Sequence, residues 1–314
     1  MRGLVEREGG AANGEESIVR MFADPGNCRA SLRLKMIHRV AKMSDETSPC
    51  PSLVAAVADG SGDLFSLRGR RALVTGAGQG IGFALARGLG AAGAELLLND
   101  IDPARLEQAV ATLRGEGLVV HGRCFDVTNG ADVERSVAEI ERGIGPVDIV
   151  INNAGIHRRA PLESMPLELW QEVLDVNLTS AFLVTRAVVG GMIQRRAGKI
   201  ITICSLNCEV SRPTIANYAA AKGGLKMLTR AMAVEWARHN IQANGLGPGY
   251  MRTAMTGTLT IDAEFDRFIC ARTPAGRWGE PRELIGTAVF LASRASDFVN
   301  GQILYVDGGL LAAL

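Results

Sequence analysis

The chain has 314 residues, a formal net charge of +1 from 34 Lys+Arg against 33 Asp+Glu, and a hydrophobic content of 47%. That balance excludes the basic footprint of a nucleic-acid binder and the composition of a disordered chain. With 37 glycines and only 5% aromatic residues, it suits an α/β protein with tight turns better than an aromatic-rich β-sandwich.

In chain order, residues 1–63 mix charges without a sustained period and contain Pro25, Pro49, Pro51 and the run DGSGD at 59–63. Residues 17–43 are basic, but Glu6, Glu8, Glu15 and Glu16 fit poorly with an acid-poor transit peptide. No charged start is followed by the apolar core of a secretory signal. The segment reads as a flexible N-terminal extension, or as chain ahead of a true start at Met36 or Met43.

From Leu64 onward short apolar runs alternate with longer amphipathic ones. RALVT (71–75) is strand-like, residues 80–90 are helical, and ELLLND (95–100) is a strand. Pro103 then sits at a helix start, where its missing N–H costs nothing. VVHGRCFDV, VDIVINNAG, GKIITICS and NIQANGLGPG supply further strands separated by helix-length stretches, and QILYVDGG closes the series. The alternation predicts an α/β fold over residues 64–314: a single Rossmann-type doubly wound parallel sheet with helices on both faces.

Six cysteines (Cys28, Cys50, Cys124, Cys204, Cys208 and Cys270) include no CxxC pair, so neither a zinc site nor a disulfide framework is indicated. They read as reduced thiols of a cytoplasmic protein. No uninterrupted apolar run approaches the roughly 20 residues of a membrane-spanning helix. No His/Asp/Glu cluster has metal-ligand spacing, so no metal site is expected.

LVTGAGQGIG (73–82) places Gly76, Gly80 and Gly82, with Gln79 and Ile81 between them, where a strand hands over to a helix. Backbone must approach a phosphate closely there, and the helix N-terminus offers free N–H groups and partial positive charge. Asp100 ends the next strand, about 20 residues further on, where a carboxylate accepts hydrogen bonds from both adenosine ribose hydroxyls and repels a 2′-phosphate. No basic residue precedes the second glycine, and none follows Asp100 before Arg105. Together these favour NAD over NADP.

Of three tyrosines, only Tyr218 has a lysine four residues on, Lys222, in the alanine-rich run NYAAAKGG. Positions i and i+4 share a helix face. A free phenol, with a pKa of about 10, transfers protons poorly at neutral pH, and an adjacent ammonium stabilises its ionised form. Ser205, at the end of the strand KIITICS, offers a hydroxyl that converges with the phenol on one carbonyl oxygen.

TGAGQGIG, FDV at Phe125, NNAG at Asn152, Asn177 in DVNLTSAF, Ser205, YAAAK, GPGYMRT at Gly247 and YVDGG at Tyr305 occur in this order. In these motifs the chain resembles the short-chain dehydrogenase/reductase superfamily from about residue 64 to its end. The resemblance implies that Tyr218 is the general acid/base, that Lys222 lowers its pKa and holds the nicotinamide ribose, and that Ser205 binds the substrate oxygen. Asn177 is implied to shape the active-site helix and to hold a water linking Lys222 to solvent. Asp126 and Val127 would meet the adenine, and Asn153, Ala154 and Gly155 the adenosine side. Pro248, Gly249, Met251 and Thr253 would hold the nicotinamide end. A homotetramer is also implied.

Finer runs, among them NNAGIHRRAP, ICSLNCE and RTPAGRWGEP, are similar to gluconate 5-dehydrogenases, which interconvert D-gluconate and 5-keto-D-gluconate. Of the two guanidinium groups after NNAG, Arg159 is the expected ligand of a sugar-acid carboxylate rather than Arg158. Glu209 either accepts hydrogen bonds from sugar hydroxyls or is an exposed loop acid, and His157 has a structural role. Residues 255–270 are expected to form a mobile substrate lid. Rival readings are a 2-deoxygluconate 3-dehydrogenase, a 3-oxoacyl-carrier-protein reductase, and, from another class, an NAD-binding scaffold or sensor without turnover.

Overall fold

The computed structural model describes residues 64–313; the expected N-terminal extension, residues 1–63, lies outside them. Among the described residues seven strands form one sheet: β1 (Arg71–Val74), β2 (Glu95–Leu98), β3 (Val120–Gly122), β4 (Ile149–Asn152), β5 (Gly198–Ile203), β6 (Ile241–Pro248) and β7 (Ile303–Val306). All neighbours pair in parallel, in the order β3-β2-β1-β4-β5-β6-β7. The order reverses between β1 and β4, which opens a crevice at the C-terminal ends of these strands.

Alternation along each strand feeds two apolar layers. Val74 of β1, with Ile149 and Ile151 of β4, packs under α1 (Gly80–Ala91), α2 (Pro103–Gly115) and, later in the chain, α9 (Ile285–Ala292). Leu73 and Val150 point the other way, onto α3 (Gly130–Gly143), α5 (Ser180–Arg195) and α6 (Ala216–Trp236). All six residues of β5 are buried, as a strand covered on both faces requires. Each fully buried Leu, Ile or Val side chain contributes about 1.5–3 kcal/mol. The doubly wound sheet expected from the sequence is the one observed.

One feature differs from the sequence reading. The helix α4 (Leu167–Leu174) runs through a wider π turn, Asp175–Thr179, straight into α5. The continuous run Leu167–Arg195 is, by length and composition, apolar enough to cross a membrane. Its face bearing Val184, Val188 and Met192 is instead buried in the second core layer, so it reads as a core helix. The π turn directs Asn177 into the protein interior, where it is 2% exposed; such turns recur at functional sites.

Two short helices, α7 (Gly257–Thr260) and α8 (Ala263–Arg272), follow β6 in the segment expected to be the lid. Asp262 starts α8 by accepting from the N–H groups of Glu264 and Phe265.

Candidate active site

A cleft of about 730 Å³ lies along the C-terminal ends of β1 to β6. Its nucleotide end is built from the turn after β1. Gly76 and Gly80 both have φ +61°, and a Cβ on Gly82 would stand 2.3 Å from the Gly76 carbonyl oxygen. Only glycine closes this turn. Gly82 lies behind the wall, whereas Gly76, Gln79, Gly80 and Ile81 line it. Gln79, at the N-cap of α1, makes no side-chain cap, so the amides of the first turn are left for an acceptor in the cleft. Asn153 ties this turn to β4, donating from Nδ2 to the carbonyls of Thr75 and Gly76 at 2.9 and 3.0 Å. This cradle fits a dinucleotide pyrophosphate.

Asp100 lines the same end and is 5% exposed, but its carboxylate is already engaged. Oδ2 accepts from the Gly78 N–H at 3.0 Å, and Oδ1 from the Asp102 N–H at 3.0 Å and from Arg105 Nη2 at 3.1 Å. Arg105 also lines the cleft. A 2′-phosphate would therefore meet an ion pair here, not an isolated carboxylate, and the expected preference for NAD loses its simple electrostatic basis. Asp126 and Val127, the residues expected to meet an adenine, line the cleft after β3, with Asp126 Oδ1 accepting from the Thr128 hydroxyl at 2.8 Å. Ala154 and Gly155 line the middle, and Pro248, Gly249, Met251 and Thr253 the far wall.

The opposite end gathers Ser205, Tyr218 and Lys222. Tyr218 and Lys222 lie one turn apart on α6, with Lys222 Nζ 5.6 Å from the Tyr218 ring centroid. Lys222 is 5% exposed and donates to the Ile203 carbonyl at 2.7 Å, which fixes the ammonium beneath the cleft floor. Ser205 follows β5, and its Oγ accepts from the Asn207 N–H at 3.1 Å. Asn177 does not line the cleft. It clamps the loop after β4, accepting from the Ile156 N–H at 2.7 Å and donating to the Ile156 carbonyl at 2.8 Å.

Two expected substrate residues are not where the sequence reading put them. Glu209 lies away from the cleft lining, where its Oε1 accepts from Lys226 at 2.5 Å and from the Tyr305 hydroxyl at 2.5 Å. Arg159 likewise turns outward, donating from Nε to the Thr214 hydroxyl at 3.0 Å. Arg158 does line the cleft but is paired with Glu172 at 3.0 Å.

In their place stand residues the sequence reading passed over or undervalued. His157 packs its ring against Tyr218, with centroids 4.7 Å apart. Arg212, from the loop after β5, lines the cleft with its guanidinium carbon 5.9 Å from the Tyr250 ring centroid and 5.0 Å from that of Phe265 on α8. Phe265 in turn meets the rings of Tyr250 and Trp278, so α8 is fastened to the cleft through this aromatic cluster. No spacing rule marks Arg212, because its place depends on how the loop after β5 folds back.

Burial, then Arg212 and Arg159, pushes the His157 pKa down from 6.5 to about 4. The imidazole is therefore neutral at physiological pH and is part of the cleft wall rather than a cation. Because the folded value lies below the unfolded one, the stability linked to it is present above about pH 6.5 and is lost as pH falls from there towards 4. An NMR titration of the His157 ring protons is expected to give a midpoint near 4; a midpoint between 6 and 7, the ordinary range of about 6.5, would contradict this environment.

A glycine cradle at one end of a crevice and a Ser–Tyr–Lys cluster at the other define a dinucleotide-dependent oxidoreductase of the α/β type. The chain belongs to the short-chain dehydrogenase/reductase family: the family model described as enoyl-(acyl carrier protein) reductase matches residues 76–311. The 5-keto-D-gluconate 5-reductase of Escherichia coli K12 is 54% identical over 252 residues, covering 80% of this chain and 99% of the relative. The gluconate 5-dehydrogenase of Gluconobacter oxydans is 53% identical, covering 80% of this chain and 98% of that protein. Among solved structures, a gluconate 5-dehydrogenase from Burkholderia cenocepacia in complex with NADP and tartrate is 51% identical with a TM-score of 0.79, covering 80% of this chain and 99% of that one.

Proposed function

We propose that this chain, through the domain spanning residues 64–314, interconverts D-gluconate and 5-keto-D-gluconate. The observation that carries this reading is that Ser205, Tyr218 and Lys222 close one end of the same cleft whose other end is the glycine cradle. The two gluconate-active relatives, at 53–54% identity, support the substrate.

When bound, a nicotinamide dinucleotide supplies the hydride acceptor for oxidation or the donor for reduction. Everything else falls to the chain. Ser205 donates its hydroxyl to the substrate oxygen and fixes it beside the Tyr218 phenol. In oxidation the Tyr218 oxygen takes the proton of the C5 hydroxyl; in reduction it returns one. The Lys222 ammonium, 5.6 Å from the Tyr218 ring centroid, stabilises the phenolate by its charge, and only one of its three donors is spent on Ile203. Met255 and Leu259, which line the cleft, help to exclude water. Asn177 acts as a positioning residue through Ile156. Exposed Phe182, Met227 and Val234 on α5 and α6 support the homotetramer that the family implies.

The Asp100–Arg105 pair supports use of both NAD and NADP. While it is closed, the carboxylate faces ribose hydroxyls; Arg105 turned off Asp100 meets a 2′-phosphate. Arg105 Nε is buried without a hydrogen-bond partner; it lies 3.4 Å from Asp102 Oδ2, near but poorly aligned, so the guanidinium is incompletely tied. Arg105→Ala is expected to lower kcat/KM for NADP by about 10-fold or more, as loss of a charge-assisted hydrogen bond implies, and to leave that for NAD within about threefold. Steady-state kinetics with both cofactors checks this.

The function itself is tested by supplying reduced cofactor with 5-keto-D-gluconate, with 2-deoxy-3-keto-D-gluconate and with an acetoacetyl thioester. Preference for the first supports the proposal. Preference for the thioester would move the chain to acyl reduction, and cofactor binding without turnover of any ketone would leave only the scaffold reading.

A further inference from the structure

Four cationic side chains line the cleft: Arg105, Arg158, Lys222 and Arg212. Three of them have oxygen partners within the fold. Arg105 pairs with Asp100, Arg158 with Glu172, and Lys222 donates to the Ile203 carbonyl. Arg212 has neither a hydrogen-bond acceptor nor a carboxylate partner among the described residues; its contacts are the faces of Tyr250 and Phe265. A half-buried guanidinium that stacks on aromatic rings, has no acceptor within the fold and lies within reach of a second positive charge, Arg159, keeps its planar fork of donors free for an incoming anion.

Its position selects which anion. His157 touches the Tyr218 ring and also feels the Arg212 charge, so Arg212 belongs to the Tyr218 end of the cleft and not to the nucleotide end. The loop that carries it is held under strain. Thr214, a β-branched residue, sits at φ +72°, a conformation that costs on the order of 1–3 kcal/mol. It is pinned there because Arg159 Nε donates to its hydroxyl at 3.0 Å and the Ala160 N–H to its carbonyl at 3.1 Å. Arg159 thus holds the loop through its Nε.

We infer that Arg212 is the residue that binds the substrate carboxylate, and that a carboxylate at Arg212 with a hydroxyl at Tyr218 makes the enzyme favour hydroxy acids over neutral polyols. This rests on the sugar-acid reading of the site. Because the same guanidinium stacks on Tyr250 and on Phe265 of α8, the anion also engages α8, which links recognition of the acid to closure over it.

The test uses the full chain and its Arg212→Gln and Arg212→Lys variants. Oxidation of D-gluconate and of the uncharged polyol D-sorbitol is followed, and binding of tartrate to the cofactor-loaded protein is measured by calorimetry. Arg212→Gln is expected to raise KM for D-gluconate by about 10–100-fold with kcat within about threefold, and to weaken tartrate to the same extent, as loss of a charge-assisted hydrogen-bond pair implies. Cofactor affinity and sorbitol kinetics stay unchanged, and Arg212→Lys recovers part of the loss because it keeps the charge without the fork. Unchanged gluconate KM and tartrate affinity, or an equal loss with sorbitol, overturns the inference. If the unmodified chain turns over no sugar acid but binds tartrate in an Arg212-dependent way, the gluconate reading falls and the anion site stands. If it does neither, both fall.

Discussion

Replacing Tyr218 by Phe is expected to lower kcat for D-gluconate oxidation by about 10³-fold or more, with cofactor affinity changed by less than about threefold. The substitution removes one oxygen and leaves the ring that packs against His157 at 4.7 Å, so the wall of the cleft persists. What is lost is the only phenol on α6, the group placed one turn from Lys222. Rapid-quench kinetics with cofactor binding followed by fluorescence separates the two effects. Retention of even a tenth of the rate would mean that another group carries the proton.

Lys222→Met is the second substitution with a large expected effect. It should lower kcat/KM by about 10²–10⁴-fold, since it removes the charge proposed to stabilise the phenolate and the proposed donor to the cofactor. It should also cost stability, because the Ile203 carbonyl, now the acceptor of a 2.7 Å bond, is left buried without a donor, at about 1–3 kcal/mol. Chemical denaturation measures the second loss independently of the first. A variant that is destabilised by this amount yet fully active would reduce Lys222 to a structural residue.

Legibility of the fold and of the site differed with the physics involved. The parallel sheet was readable because its strands are short apolar runs buried on both faces, as in the fully buried GKIITI of β5, and because helix-length segments separate them. The glycine turn was readable because closure demands glycine itself: a Cβ on Gly82 would overlap the Gly76 carbonyl. Tyr218 and Lys222 were readable because helical periodicity alone brings them together.

The substrate side was not, since it depends on which of several charged side chains finds a partner first. Glu209 and Arg159 had the right chemistry for a sugar acid, but Lys226 with Tyr305 claims one and Thr214 the other. Arg212 is left without an acceptor by pairings across the loops after β4 and β5, a result no local pattern encodes. The Asp100 reading failed to anticipate its partner for a related reason. Arg105 was visible five residues on, yet only the turn of α2 shows that it folds back onto the carboxylate.

The same physics explains the spanning-length helix. The sequence contains no single apolar run of that length, but the π turn at Asp175–Thr179 lets α4 and α5 continue as one rod. The cost of that irregular turn is offset by the two bonds that Asn177 makes to Ile156, which hold the loop carrying His157 and Arg158.

The most direct measurement is to incubate the chain with oxidised cofactor and uniformly ¹³C-labelled D-gluconate, and to follow cofactor reduction by absorbance and the product by carbon NMR. Reduced cofactor forming in step with a carbonyl at C5 is the expected result. A carbonyl at any other carbon, or cofactor reduction with neutral alcohols and none with gluconate, would contradict the assignment of this cleft to gluconate.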